Sequence, residues 1–170
     1  MHAITYFHGT FNYCQMDAPK YEYKKILFRF YSNLLEESTV ETLWALTIDP
    51  VKGYYKLDNI PFYVPGLASD DIILAEYDED EQMMTYRELV ECSGNSTIQV
   101  IVRDAGKDAS SLRADFKKAG CPSEGLNERY FVVEIPVGLD YGPIRKQLVQ
   151  LQEAGIIDYA EACLADGHRY

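Results

Sequence analysis

Between Lys24 and Glu91, apolar and polar residues alternate with a period near two, and Pro, Gly, Asp and Asn interrupt the pattern at short intervals. Such a pattern predicts short β-strands joined by turns. Lys25–Tyr31 puts Ile26, Phe28 and Phe30 on one face. Ser32–Thr39 reads as a polar loop or short helical turn. Thr42–Ile48 is rich in β-formers, and strict alternation places Thr42, Trp44, Leu46 and Ile48 on one face. In Asp49-Pro50-Val51-Lys52-Gly53, Pro50 presets φ and Gly53 tolerates positive φ, so a turn leads into the strand Tyr54–Leu57. Asp58-Asn59 ends that strand. Ile60–Val64 is a short extended piece, confined to an edge or bulge because Pro61 has no N–H. Pro65-Gly66 turns the chain again. Ile72–Tyr77 reads as a buried strand, Asp78–Glu81 as a charged turn and Met83–Glu91 as a returning strand.

After Gly94-Asn95 the period changes. Thr97–Val102 and Arg129–Ile135 are strands, and each is followed by apolar residues at helical spacing. The first helix carries Leu112, Phe116 and Ala119 and stops at Gly120, with Pro122 just beyond. The second opens at Asp140 and Pro143, carries Ile144, Leu148 and Leu151, and stops at Gly155. Asp158 and Glu161 resemble a capping box and predict a last short helix over Tyr159–Leu164. The expected class is α+β: a small antiparallel β-barrel or sandwich followed by a split βαβ-like (ferredoxin-like) layer. The expected division is a tyrosine-rich extension over 1–23, a β-rich subdomain over 24–93 and an α/β subdomain over 94–170, packed as one unit. Within the extension, His8-Gly9 lies between Ile4–Phe7 and Thr10–Tyr13 as a candidate hairpin turn.

Composition adds three points. An apolar content of 47% in 170 residues suffices for a core. No apolar run reaches the roughly 20 residues of a membrane helix, and the N-terminus lacks the basic-then-apolar layout of a signal peptide. Four cysteines at 14, 92, 121 and 163, with no CxxC, read as free thiols of a cytoplasmic protein. The net charge of −11 disfavours nucleic acid as a partner and favours a basic protein.

Candidate chemistry is sparse. The serine-hydrolase elbow, the zinc helix, the P-loop and the dinucleotide fingerprint are all missing from the sequence. Cys163 and His168 form a conceivable nucleophile–base pair without a third partner. Asp70 and Asp71 are adjacent carboxylates, which a strand would turn to opposite faces. His2, His8 and Cys14 match no metal-site spacing, and the acids from Glu76 to Glu81 lack the calcium-loop pattern. The expectation is a chain without catalytic residues, metal or cofactor.

Glu41-x-x-Trp44-Ala45, Tyr55-x-Leu57-Asp58-Asn59-Ile60-Pro61-Phe62, Gly66-Leu67 and Asp71-x-Ile73-x-Ala75-Glu76 together resemble the bacterial DUF4265 family of unknown function. Asp158-Tyr159-x-Glu161-Ala162-Cys163-Leu164 looks like that family's ending, so the resemblance covers about residues 24–164. It implies a small cytoplasmic protein, and some look-alike members are expected to act as immunity proteins in toxin systems. The residues themselves give the Asp-Asn-Ile-Pro-Phe box a structural reading: Asp58 and Asn59 fix a turn, Pro61 stiffens it and Phe62 packs inward.

Two functions follow. One is a non-catalytic immunity protein that occludes a basic toxin such as a nuclease. Its contacts would be Glu76, Asp78, Glu79, Asp80 and Glu81, with Tyr6 and Tyr13 from the extension. The other is a small-molecule-binding or enzymatic domain with a pocket at Glu41, Trp44 and Asn59.

Overall fold

The computed structural model describes residues 22–32 and 36–170. The first five strands, β1 (Tyr23–Ser32), β2 (Glu37–Asp49), β3 (Tyr54–Leu57), β4 (Ile72–Asp78) and β5 (Met83–Glu91), close into a barrel in sequence order. Each neighbouring pair is antiparallel, and the closure is a short parallel contact between β1 and β5 at Leu27 and Thr85. Ile26, Phe28, Leu43, Ala45, Tyr55, Leu57, Ile73 and Ala75 fill the barrel.

The register shows which face of β2 is inside. Ile26 lies opposite Leu43, and Phe28 opposite Glu41. Leu43 and Ala45 therefore point inward, and Trp44 points out, 47% exposed with Lys25 Nζ 6.0 Å from its ring centre. The inward face is thus the opposite of the Thr42, Trp44, Leu46 and Ile48 set. A single-residue slip reverses the facing of a whole strand, and register with β1 overrules the size of the indole. β2 also starts at Glu37, inside the stretch expected to be a loop.

The second layer contains β6 (Ser96–Val102), α1 (Ala109–Lys118), β7 (Ser123–Gly125), β8 (Tyr130–Ile135), α2 (Tyr141–Glu153) and β9 (Ile157–Cys163), with sheet order β7-β8-β6-β9. β8 and β9 are each antiparallel to β6 and hence parallel to one another. Joined through α2 with β6 between them, they make a split βαβ unit. The helices start where Asp108 and Asp140 accept hydrogen bonds from Ser110 N and Gly142 N. Their apolar stripes, including Leu112, Phe116, Ile144 and Leu148, pack on Ile98, Val100, Phe131 and Ile135.

Three elements depart from expectation. Residues 159–164 are in strand β9 and the turn after it, not a helix. Pairing with β6 satisfies a row of backbone groups that a short helix would leave open. Asp158 and Glu161 cap nothing: Asp158 pairs with Arg103, and Glu161 accepts from the Tyr141 hydroxyl. Ile60–Val64 belongs to no strand. β7 was not foreseen, because three residues carry no periodicity.

A short junction at residues 92–95 connects the two layers. Gly94 there has φ +85°, and a Cβ on it would lie 2.5 Å from Val137 Cγ2. Gly94→Ala is therefore expected to destabilise the fold by about 1–3 kcal/mol. Gly138→Ala, in open space, should stay within about 0.5 kcal/mol of the native chain. Urea unfolding of the two variants checks this.

Candidate functional site

The segment from Asp58 to Asp71 joins β3 to β4 and runs between the barrel and the second sheet. An irregular segment held between two layers needs partners for its own amides and carbonyls. Side chains from both layers supply them. The Glu41 carboxylate accepts from three successive amides, Phe62 N at 2.8 Å and Tyr63 N and Val64 N at 2.9 Å. From β7, Glu124 accepts from Ile60 N at 3.0 Å and from Asn59 Nδ2 at 3.4 Å. Asn59 Oδ1 accepts from Trp44 N at 3.0 Å. The Phe62 carbonyl receives Gln99 Nε2 at 2.9 Å and the Tyr130 hydroxyl, and Thr97 Oγ1 donates to the Leu67 carbonyl at 3.1 Å. At the far end, Asp71 accepts from Ala68 N at 2.8 Å and Ser93 N at 2.7 Å. Asn95 Nδ2 donates to the Ser69 carbonyl at 3.1 Å.

This seam accounts for Glu41 and Asn59. The structure brings both to the Trp44 region, but the Glu41 carboxylate and Asn59 Oδ1 hold backbone amides, Asn59 Nδ2 meets Glu124, and the indole faces out. The cleft described next is lined by other residues than Glu41, Trp44 and Asn59. Asp70 and Asp71 also part company: Asp71 is buried in the seam, and Asp70 pairs on the surface with Lys56 at 2.8 Å.

The cleft, of about 840 Å³, opens where the end of the β1–β2 hairpin meets the helix-free face of the second sheet. Phe30, Thr39 and Val40 form one wall, and Gln99, Ile101, Tyr130 and Ala160 belong to the sheet side. Tyr63, from the seam, stacks on Tyr130 at 5.5 Å and 22°. Burial holds the Tyr130 hydroxyl far above the usual phenol range, so it remains a donor, aimed at Phe62 O. Arg129, Asn127, Asp158 and Tyr159 complete the lining. No sequence motif marked this site, because its residues come from six separate segments.

The acidic turn is built in detail. Asp78 accepts from Asp80 N and Glu81 N, which fixes the turn. Arg87 bridges Glu76 at 3.2 Å and Asp78 at 3.0 Å, and Arg29 holds Glu81. Five acids set against two arginines leave a local charge of −3, with Glu79 and Asp80 exposed at the tip. Arg29 lies opposite the cleft residue Val40, so turn and cleft are neighbours across β1. Tyr6, Tyr13 and the His2, His8 and Cys14 set lie outside the described residues.

Cys163 and His168 do not pair. His168 Nδ1 lies 2.7 Å from Ser96 Oγ, which also accepts from Ala165 N at 2.8 Å. Ser96 and His168 are both buried, so this contact ties the C-terminal 3₁₀ turn (Asp166–His168) to β6. Burial pushes the Cys163 thiol up to about 11, which keeps it protonated at neutral pH. Among the described residues, no group of three or more His, Cys, Asp or Glu side chains is placed to hold a metal ion. No helix among them is long and apolar enough to cross a membrane.

Comparison with known proteins matches the family described as a domain of unknown function, DUF4265, over residues 41–159. The chain is similar to a solved structure from Neisseria gonorrhoeae described as a hypothetical protein, with 28% identity and a TM-score of 0.74, over 85% of this chain and 96% of that one. No curated protein matches.

Two predictions follow from this geometry. Glu41→Gln replaces an acceptor oxygen with an NH₂ facing donors, at an expected cost of about 1–3 kcal/mol. Faster hydrogen exchange at Phe62–Val64 than at strand β8 should accompany it. Secondly, the Asp78 carboxyl is held below the usual range, first by Arg87 and then by the amide of Glu81. Its ion pairing is therefore complete above the ordinary carboxylate pKa and is lost as pH falls through the lowered value. An NMR titration should show Asp78 moving towards the ordinary value in Arg87→Gln.

Proposed function

The chain belongs to the DUF4265 family, and we propose that it is a non-catalytic acidic binding protein for a basic protein. The most concrete form is a cytoplasmic immunity protein that neutralises a cognate basic toxin, such as a nuclease, by covering its working surface. The observation that carries this reading is the β4–β5 turn. Its backbone is fixed by Asp78, its inner acids are held by Arg29 and Arg87, and Glu79 and Asp80 project from the tip. A prearranged acidic tip on a chain of net charge −11 attracts a cationic surface from a distance and orients it on arrival. The inner acids, already paired, serve to position the tip. Rim charges of this kind act mainly on association rate and salt dependence.

Tagged chain incubated with lysate of its native host at low and moderate salt tests this. A single basic protein should be retained, be released as salt rises, and be lost with Glu79→Lys/Asp80→Lys. Retention that is unchanged by that double reversal would overturn the reading.

A further inference from the structure

The cleft carries two features that the acidic turn does not explain. The first is convergent apolar exposure. Val40, Tyr63 and Ile101 are 47%, 49% and 43% exposed, and all three line the same concavity. Single exposed apolar side chains are ordinary, but several lining one cleft together with stacked tyrosines mark a binding site.

The second is charge. Arg103 Nε lies 3.4 Å from Asp158 Oδ2, so these two largely cancel. The Arg129 guanidinium forms no ion pair among the described residues; its backbone is engaged, the N–H with Asn127 Oδ1 at 2.9 Å and the carbonyl with Val102 N at 2.8 Å. That oxygen also accepts from Tyr130 N at 2.9 Å, which fixes the Asn127 side chain and leaves its Nδ2 donor unused among the described residues. Gln99 Nε2 is committed to Phe62 O. On a chain of net charge −11, the cleft thus keeps one uncompensated cation and one fixed amide donor beside an apolar floor.

We propose that the cleft binds an amphipathic organic anion: an aromatic or acyl body lying against Tyr63, Tyr130 and Ile101, with its carboxylate at Arg129 and Asn127. Charge complementarity selects the anion. Aromatic rings also attract cations, but here Arg129 opposes a cation and Asp158 is already occupied by Arg103. A guanidinium facing a carboxylate forms the stronger, charge-assisted kind of hydrogen bond. The volume exceeds what a single phenyl-propyl unit needs, so larger anions of the same class fit as well. The site is separate from the acidic tip and stands whether or not a basic protein binds there.

The full chain, ¹⁵N-labelled, would be titrated with 3-phenylpropionate and with 3-phenylpropylamine, which match in body and differ in charge. The expected result for the anion is saturable binding on the order of 1 mM, with shifts clustered at Gln99, Ile101, Arg129 and Ala160. The amine should bind at least about fivefold more weakly. Arg129→Gln should weaken the anion roughly tenfold, with the remaining spectrum unchanged. Ile101→Glu, at an exposed position, should abolish anion binding. Equal or tighter binding of the amine, unchanged affinity in Arg129→Gln, shifts outside the cleft, or no saturable binding of the anion would each overturn the proposal.

Discussion

The structure depends on how one irregular segment, Asp58–Asp71, is satisfied between two sheets. Amides and carbonyls confined there need fixed partners, since an unpaired buried backbone group costs as much as a lost hydrogen bond or more. Here the partners are side chains from β2, β6, β7 and β8, together with Asn95 and the segment's own Asp71. The most economical is Glu41, whose two oxygens take three consecutive amides. Because the seam draws on both layers, it sets their mutual position and so places Tyr63 over Tyr130 at the cleft.

Charge is distributed unevenly around that frame. The chain is strongly acidic overall, yet its arginines are placed with purpose: Arg29 and Arg87 support the acidic turn, Arg103 neutralises Asp158, and Arg129 has no ion pair among the described residues. Net charge speaks to solubility and long-range attraction. It does not describe a cleft, where the nearest groups act at short range and exposed charges further off are screened by water and salt.

Much of the fold was legible in the sequence because it is written in periodicity. Period-two runs marked the barrel strands, and Leu112–Phe116 and Ile144–Leu148 marked the helices. What failed depends on neighbours. The facing of β2 follows from register with β1, not from where Trp44 falls. β9 looked helical because Asp158 and Glu161 mimic a capping box, whereas the open side of β6 decides the matter. The Glu-x-x-Trp and Asp-Asn-Ile-Pro-Phe motif was visible, and its role is the seam: Glu41 and Asn59 serve backbone groups. The cleft was illegible. Its residues are ordinary strand and loop positions that only the packing of two layers brings together.

The seam also has a consequence for synthesis. Asn59 and Ile60 wait for Glu124, and Phe62 waits for Tyr130, 68 residues further along the chain. At roughly 5–20 residues per second, the ribosome releases the barrel sequence several seconds before the residues that complete its loop. During that interval the Ile60 amide lacks Glu124, and the Phe62 carbonyl has at most Gln99 of its two donors. The nascent barrel therefore matures when the C-terminal layer arrives, and a ribosome stalled before Glu124 presents an unfinished half rather than a finished module.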